Sequence, residues 1–241
     1  DFSLAPGESL NFPKDKEPKT INTANENARS ILAKKYPGKI VLLFARGNHL
    51  TYDDKLKKWT NTPRWGGYSG GNAEYVALCG GCNSNGPNFF SHEVGHYLHL
   101  SHTHYYLPKT KDEAIGEIRQ FVEADGNPIA NGALVFDGDD YNVNDTPPDP
   151  GPDLYVDFGL DPCGKQNEIS LDVEFADHTS TSYKFSPDRS NLMSYFKECP
   201  GMDHYFSEKQ NEVMRLAILT GNRGVLIGKS FDISQVSNVF E

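Results

Sequence analysis

Apolar positions in the first part of the chain predict a helix, two strands and a second helix, in that order. Thr23 and Glu26 have the spacing of a capping box, and the apolar residues after them repeat at helical spacing up to residue 36. Residues 39–45 are a continuous apolar run rich in β-forming residues, which is typical of a strand buried on both faces, and residues 74–79 are a second such run. The second helix is expected to begin near Asn88.

The clearest element in the second half of the chain is a last helix. Ser207 and Gln210 form another capping box, and Gly221 is a helix stop signal, so a helix is predicted between them. The pattern as a whole predicts an α/β upper half followed by an irregular lower half. No internal repeat or low-complexity segment is present.

Composition and charge exclude several classes of partner. The chain carries 33 acidic and 23 basic residues, and its net charge of −10 argues against nucleic acid or an anionic membrane. No segment approaches the roughly 20 apolar residues that cross a bilayer. The first residues have neither a basic stretch nor an apolar run, so we expect mature residues of a secreted protein from which a leader, alone or with a pro-segment, has been removed.

The segment HEVGHYLHLSH, residues 92–102, carries the most specific chemical signal in the chain. His92 and His96 are one helical turn apart, so both imidazoles can face one metal ion. Glu93 is then placed beside the water of that ion. Zinc lowers the pKa of a bound water to about 7, and an adjacent carboxylate can take its proton during attack on a carbonyl carbon.

A catalytic zinc site needs a third protein ligand, and His99, His102 and His104 are the nearest candidates. In a continuing helix His99 would lie about 10 Å along the axis from His92, which is too far for one ion. A turn after Leu98 would instead reverse the chain and bring His102 to the metal. We therefore predict that His92, His96 and His102 are the metal ligands.

These residues resemble the long motif of the metzincin metalloendopeptidases, HExxHxxGxxH. The resemblance departs at the glycine position, which is occupied by His99. Glycine there permits a positive φ, which costs most residues free energy, although histidine is among the more tolerant. We expect strain at His99, with a shifted turn or a damaged site as the competing possibility.

Three further blocks narrow the resemblance to the pappalysin group of metzincins. They are NLMSY within residues 186–196, GDDYNVNDTPPDPG at residues 138–151, and residues 205–215. The resemblance implies that Met193 lies in a Met-turn beneath the metal and that Tyr195 is an extra ligand or a hydrogen-bond donor to the oxyanion.

The same resemblance implies an α+β metzincin-like fold in a single catalytic domain spanning residues 1–241. An upper subdomain, residues 1–98, would contain a twisted mixed sheet with a backing helix and the active-site helix. An irregular lower subdomain, residues 99–241, would contain the Met-turn and the C-terminal helix. We expect this enzyme to act on proteins or peptides as a monomer.

Cysteines are expected to form one structural disulfide. Relatives often carry a cysteine where this chain has Asn144, so one bridge of the family pattern is absent, and the other implied pair is Cys163 with Cys199. Such a bridge closes a loop that carries the Met-turn and indicates an oxidising compartment. The CGGC segment at Cys79 and Cys82 is compatible with a local disulfide or with two free thiols.

Substrate and calcium binding are weaker inferences. Glu198 falls where pappalysin relatives place an acidic residue in the S1′ pocket, which implies a preference for arginine or lysine after the scissile bond; an exposed glutamate without that role is the alternative. The aspartates between Asp137 and Asp161 could bind a structural calcium ion or be simply solvated. A substrate would bind extended along an edge strand, which we expect near residues 70–79.

Two alternatives to this interpretation remain open. In the first, Glu117 or Glu113 replaces His102 as the third ligand, as in thermolysin-like hydrolases. In the second, His99 has broken the active turn, and the protein is a non-catalytic, zinc-stabilised binding module.

Overall fold

The computed structural model describes Lys34 and residues 39–45, 49–53, 58–62, 67–68, 75–79, 87–125, 132–138 and 143–219. Over these residues the protein is a mixed α+β structure, as predicted. The predicted first helix, residues 23–36, lies outside the described residues apart from Lys34, and so does the predicted stop at Gly221.

The described residues of the upper half contain five strands, which form a small mixed sheet and a separate hairpin. They are β1 (Val41–Ala45), β2 (His49–Asp53), β3 (Lys58–Thr62), β4 (Gly67–Tyr68) and β5 (Tyr75–Cys79). In the sheet, β5 pairs in parallel with β1 and antiparallel with β4, while β2 and β3 form the hairpin. Both predicted strands are therefore confirmed as β1 and β5. Tyr75 and Val76 of β5 are buried, whereas Val41 and Leu42 of β1 are half-buried.

The position of β5 corrects the expected edge strand. Residues 75–79 pair with β1 along their whole length, and Ala77 and Leu78 also pair with β4. Since β5 is the middle strand, the edge of the described sheet on that side is β4. Residues 70–74 lie outside the described part of the chain.

The described helices and the remaining strands follow from residue 87 onward. The helices are α1 (Pro87–Tyr97), α2 (Lys111–Asp125), α3 (Pro152–Asp157) and α4 (Glu208–Leu219), with 3-10 turns at η1 (Gly132–Phe136) and η2 (Tyr195–Glu198). The strands are β6 (Ile169–Glu174) and β7 (Ser180–Phe185), which form an antiparallel hairpin.

The capping box before α4 is confirmed. The Gln210 backbone N–H donates to Ser207 Oγ at 3.2 Å, and the Ser207 N–H donates to Gln210 Oε1 at 2.9 Å. These reciprocal bonds satisfy two backbone donors that have no partner inside the helix. They fix the start of α4 one residue after Ser207.

The lower half is more regular than predicted. Its core forms where one face of α2 packs against the inner face of the β6–β7 hairpin. The buried residues follow the period of each element: every fourth residue on α2 and every second residue on β6. They are Ala114, Ile118 and Val122 on the helix and Ile169, Leu171 and Val173 on the strand.

A second, smaller core lies under α1. It joins Val76 of β5, Tyr97 and Leu98 from the end of α1, and two methionines, Met193 and Met214. Met193 is fully buried. This core therefore connects the sheet, the helix with the HEVGH motif and the C-terminal helix, with Met193 among them.

The predicted disulfide is present. Cys163 and Cys199 are bonded, with their Cα atoms 5.2 Å apart and a separation of 36 positions in sequence. Closing a loop of this size restricts the unfolded chain by about 3 to 4 kcal/mol in the chain-entropy account. A disulfide is typical of an oxidising compartment and is therefore compatible with an extracellular location.

In the described part of the chain, every helix is too short or too polar to span a bilayer. The state of the CGGC segment is outside this description, since the side chain of Cys79 and all of Cys82 are not among the described residues.

Candidate metal centre

Helix α1 presents His92 and His96 on one face. Their Nε2 atoms are 3.1 Å apart, as expected for residues one turn apart whose rings point at the same point. His92 is buried and His96 is half-buried, so neither ring lies on a fully exposed surface.

The helix ends in a left-handed turn at His99, whose φ is 72°. Two backbone bonds close this turn: the His99 N–H donates to His96 O, and the Leu100 N–H donates to Gly95 O, both at 3.0 Å. This is the Schellman arrangement, which usually has glycine at the left-handed position. The expected strain at His99 is present, at a cost of about 1 to 2 kcal/mol for a residue with a Cβ.

The turn brings His102 to the other two histidines. Its Nε2 lies 3.0 Å from Nε2 of His96 and 3.3 Å from Nε2 of His92. The three form the one group of potential metal ligands found among the described residues. His99 is not part of that group, so its place in the turn has not broken the convergence of the ligands.

The geometry of the three nitrogens fits a tetrahedral metal ion. With zinc–nitrogen distances of about 2.0–2.1 Å, two ligand nitrogens lie about 3.3–3.4 Å apart. The observed separations of 3.0–3.3 Å are close to this spacing. Three protein ligands also leave a fourth position for water or substrate.

Hydrogen bonds to backbone carbonyls fix which ring nitrogens face the metal position. His92 Nδ1 donates to Leu192 O and His96 Nδ1 donates to Leu100 O, each at 2.7 Å. Because a carbonyl oxygen only accepts, Nδ1 carries the proton in each neutral ring and Nε2 presents a lone pair. A cation at the centre stabilises such converging lone pairs.

Glu93 and Tyr195, the two predicted catalytic side chains, lie on the same side of the molecule as the histidines. Glu93 is 4% exposed. Tyr195 opens η2, and its ring centroid is 5.0 Å from that of His102. Burial and the charge of Glu93 raise the pKa of the Tyr195 hydroxyl, which indicates that the carboxylate and the phenol are within electrostatic reach.

Met193 lies directly beneath α1, where the resemblance implied a Met-turn. A Cβ on Gly95 would be 2.6 Å from Met193 Sδ and 3.0 Å from the Phe206 ring, so only glycine leaves room for this contact. The backbone of the turn also accepts two hydrogen bonds from the ligand segments, through Leu192 O from His92 and through Met193 O from the N–H of Thr103. The turn thus supports the site through its backbone as well as its side chain.

Gly95→Ala is expected to lower the free energy of unfolding by about 1 to 3 kcal/mol, because the added methyl group overpacks a fully buried contact. Thermal or denaturant unfolding measures the change. Gly116→Ala is the matched control, since nothing lies within 4 Å of a Cβ at this helical glycine. That control is expected to stabilise the protein by about 0.5 to 1 kcal/mol, and equal effects of the two substitutions would contradict the proposed packing.

Other predicted residues are placed differently. The backbone of Glu198 ends η2, but its side chain lies outside the described residues, so its role in an S1′ pocket stays a prediction. Asp145 and Asp157 accept hydrogen bonds from backbone N–H groups at the starts of α4 and α2. Asp139 and Asp140 are not described, and calcium binding therefore also stays a prediction.

The glutamates proposed as alternative ligands have other partners. Glu113 Oε2 accepts a hydrogen bond from the Lys109 N–H at 2.7 Å. Glu117 lies beside Tyr106, whose pKa is raised by burial and then by the charges of Glu117 and Glu113. Neither glutamate belongs to the group of converging ligands, which favours His102 as the third one.

Sequence reasoning missed two supporting side chains, His104 and Asp149. The ring of His104 stacks on that of His102 at 4.6 Å and meets that of Tyr195 at 4.3 Å, both measured between centroids. Asp149 is buried and receives hydrogen bonds from Thr103 and Ser194. The sequence had suggested His104 only as a possible metal ligand and Asp149 only as part of an acidic loop. The DTPP motif directly before Asp149 was the one sequence feature that marked its segment as functional.

No family model, curated protein or solved structure matches this chain.

Proposed function

We propose that this protein is a zinc-dependent endopeptidase of the metzincin type, similar to the pappalysin group. The observation that carries the proposal is the convergence of three histidine Nε2 atoms within 3.0–3.3 Å of one another, with a buried glutamate, Glu93, directly after His92 on the same helix. Metal-assisted hydrolysis requires a set of three protein ligands that leaves a fourth coordination position for water, together with a nearby carboxylate. The packing of Met193 against Gly95 of α1 and the hydrogen bond from His92 to Leu192 O support the same assignment.

His92, His96 and His102 would hold a zinc ion, which would supply Lewis acidity to polarise a carbonyl group and to acidify a water molecule. Glu93 accepts the proton of the attacking water and passes it to the leaving amine. Glu93 is buried, which restricts the positions that its carboxylate can take. Tyr195 donates a hydrogen bond from its phenol hydroxyl to the developing oxyanion.

The substrates proposed for this site are proteins or peptides in an extracellular setting, cut by a monomeric enzyme. An extended peptide would add to the described sheet at β4, the edge strand that pairs with β5. Glu198 follows Tyr195 in η2, close in sequence to the reacting position. We propose that its carboxylate favours arginine or lysine after the scissile bond.

Metal content and peptidase activity of the purified chain test the proposal. About one zinc ion per chain is expected, together with cleavage of casein that stops with a chelator and returns when zinc is added. Sequencing of the cleavage products then tests the preference for basic residues. A folded, zinc-loaded chain that cleaves no protein or peptide would instead support the zinc-stabilised binding module.

A further inference from the structure

The buried carboxylate of Asp149 lies between the segment that carries His102 and the segment that carries Tyr195. Asp149 Oδ2 accepts hydrogen bonds from Thr103 Oγ1 at 2.7 Å and from Ser194 Oγ at 2.6 Å. Its second oxygen, Oδ1, accepts from the Gly151 N–H at 2.8 Å. The side chain is 1% exposed, so its position is set by these donors and not by solvent.

The two hydroxyl donors are adjacent in sequence to functional side chains on different segments. Thr103 follows His102, the third metal ligand. Ser194 precedes Tyr195 and caps η2, because its Oγ also accepts from the Phe196 N–H at 3.2 Å. A single carboxylate oxygen therefore bonds to the neighbour of a ligand and to the neighbour of the proposed oxyanion donor.

Thr103, the residue after His102, is also fixed by its backbone hydrogen bonds. The Thr103 N–H donates to Met193 O at 3.3 Å, and Thr103 O accepts from the Gly138 N–H at 3.2 Å. A Cβ on Gly138 would come within 2.1 Å of the His104 backbone, so the loop before Asp149 packs directly on this segment. With both backbone groups and the hydroxyl bonded, Thr103 has little freedom, and neither has His102 beside it.

We propose that Asp149 is a positioning residue that sets the placement of His102 through Thr103 and of Tyr195 through Ser194. Burying a charge is costly unless its hydrogen bonds are complete, and hydrogen bonds to a charged acceptor are about twice as strong as neutral ones. Such bonds make the Asp149 carboxylate a rigid link between two segments, one 46 residues before it in sequence and one 45 residues after it. The inference rests on the proposed function, because it takes His102 to be a metal ligand and Tyr195 to be an oxyanion donor.

The two hydrogen bonds to Asp149, from Thr103 and from Ser194, are expected to have separable effects. Thr103→Val removes one hydroxyl with little change in shape and loosens the segment that carries His102. We expect zinc affinity to fall by about 10- to 100-fold, the usual effect of losing a group that orients a ligand. Ser194→Ala loosens the start of η2, and we expect kcat to fall by about 10- to 100-fold with KM and zinc affinity little changed. Asp149→Asn is expected to impair both properties.

The experiment measures zinc affinity by competition with a chelator, and kcat and KM on one peptide, for the full chain and each variant. The visible absorption of bound Co²⁺ adds a readout of ligand geometry that does not depend on activity. Thr103→Ser keeps the hydroxyl and is expected to recover most of the affinity lost in Thr103→Val. Ser170→Ala is the surface control, since it removes an exposed hydroxyl pair with Ser182 on the β6–β7 hairpin.

The outcomes distinguish the inference from the function on which it rests. Wild-type zinc affinity in Thr103→Val, or equal losses of affinity and kcat in Thr103→Val and Ser194→Ala, would overturn the positioning role while an active parent keeps the proposed function. A parent chain that binds no zinc would overturn both. If Asp149→Asn fails to fold, the two hydroxyl variants still decide the question.

Discussion

Glu93→Gln is expected to lower kcat/KM for peptide cleavage by about 10²- to 10⁴-fold, the usual contribution of a general base. Glutamine has nearly the same shape as glutamate and fits the same buried position, but it cannot take a proton from water. Because Glu93 is not among the converging ligands, zinc content should stay at the parent value. Steady-state kinetics and metal analysis on the same preparation measure both quantities.

Glu168→Gln is the matched control for this substitution. Glu168 is exposed, and its ion pair with Lys184 at 3.3 Å lies on the surface of the β6–β7 hairpin. Exposed pairs of this kind contribute about 0 to 1 kcal/mol, so neither stability nor activity should change much. A Glu93→Gln variant that cut peptides as fast as the parent would refute the proposed mechanism, although it would not contradict the metal site formed by the three histidines.

The local part of the site could be predicted from the sequence because it depends on the geometry of one helix and its end. The four-residue spacing of His92 and His96 places both rings on one face in any helix. The bend at His99 could be predicted too, since a straight helix could not bring a third ligand to the pair. The capping box at Ser207 and Gln210 is likewise a short-range pattern, and it was found for the same reason.

Contacts between distant segments could not be predicted in this way. The aspartates of residues 137–161 were interpreted as solvated or as calcium ligands, yet Asp149 is buried between Thr103 and Ser194. No pattern in its own segment indicates those partners, which lie 46 and 45 residues away. Burial of a carboxylate depends on donors supplied by the tertiary fold, which are not visible in a single sequence.

The β6–β7 hairpin was missed for a different reason. Ile169, Leu171 and Val173 alternate with polar residues, which is the pattern of a half-buried strand. The partner strand has no comparable signal, because Ser180 to Ser182 are polar and only Tyr183 and Phe185 of β7 are buried. A strand whose pairing partner is weakly apolar is easily taken for irregular structure.

His102→Ala is expected to remove the stabilisation that zinc gives to the folded chain. At a free zinc concentration 100 times the Kd of the parent, binding stabilises the native state by about 2.7 kcal/mol, which raises Tm by about 5 to 10 °C for a chain of this size. If loss of the third imidazole weakens binding a hundredfold, the same zinc concentration contributes only about 0.4 kcal/mol. Thermal unfolding with and without zinc measures the difference.

Glu117→Ala is the control that separates this site from a thermolysin-like one. Both variants remove one potential ligand from the segment after α1, but only His102 has its donor atom within 3.0–3.3 Å of both other imidazoles. Glu117→Ala should therefore keep the full zinc-dependent rise in Tm. If the rise were lost in Glu117→Ala and kept in His102→Ala, the third ligand would be the carboxylate on α2, and the left-handed turn at His99 would have no part in binding the metal.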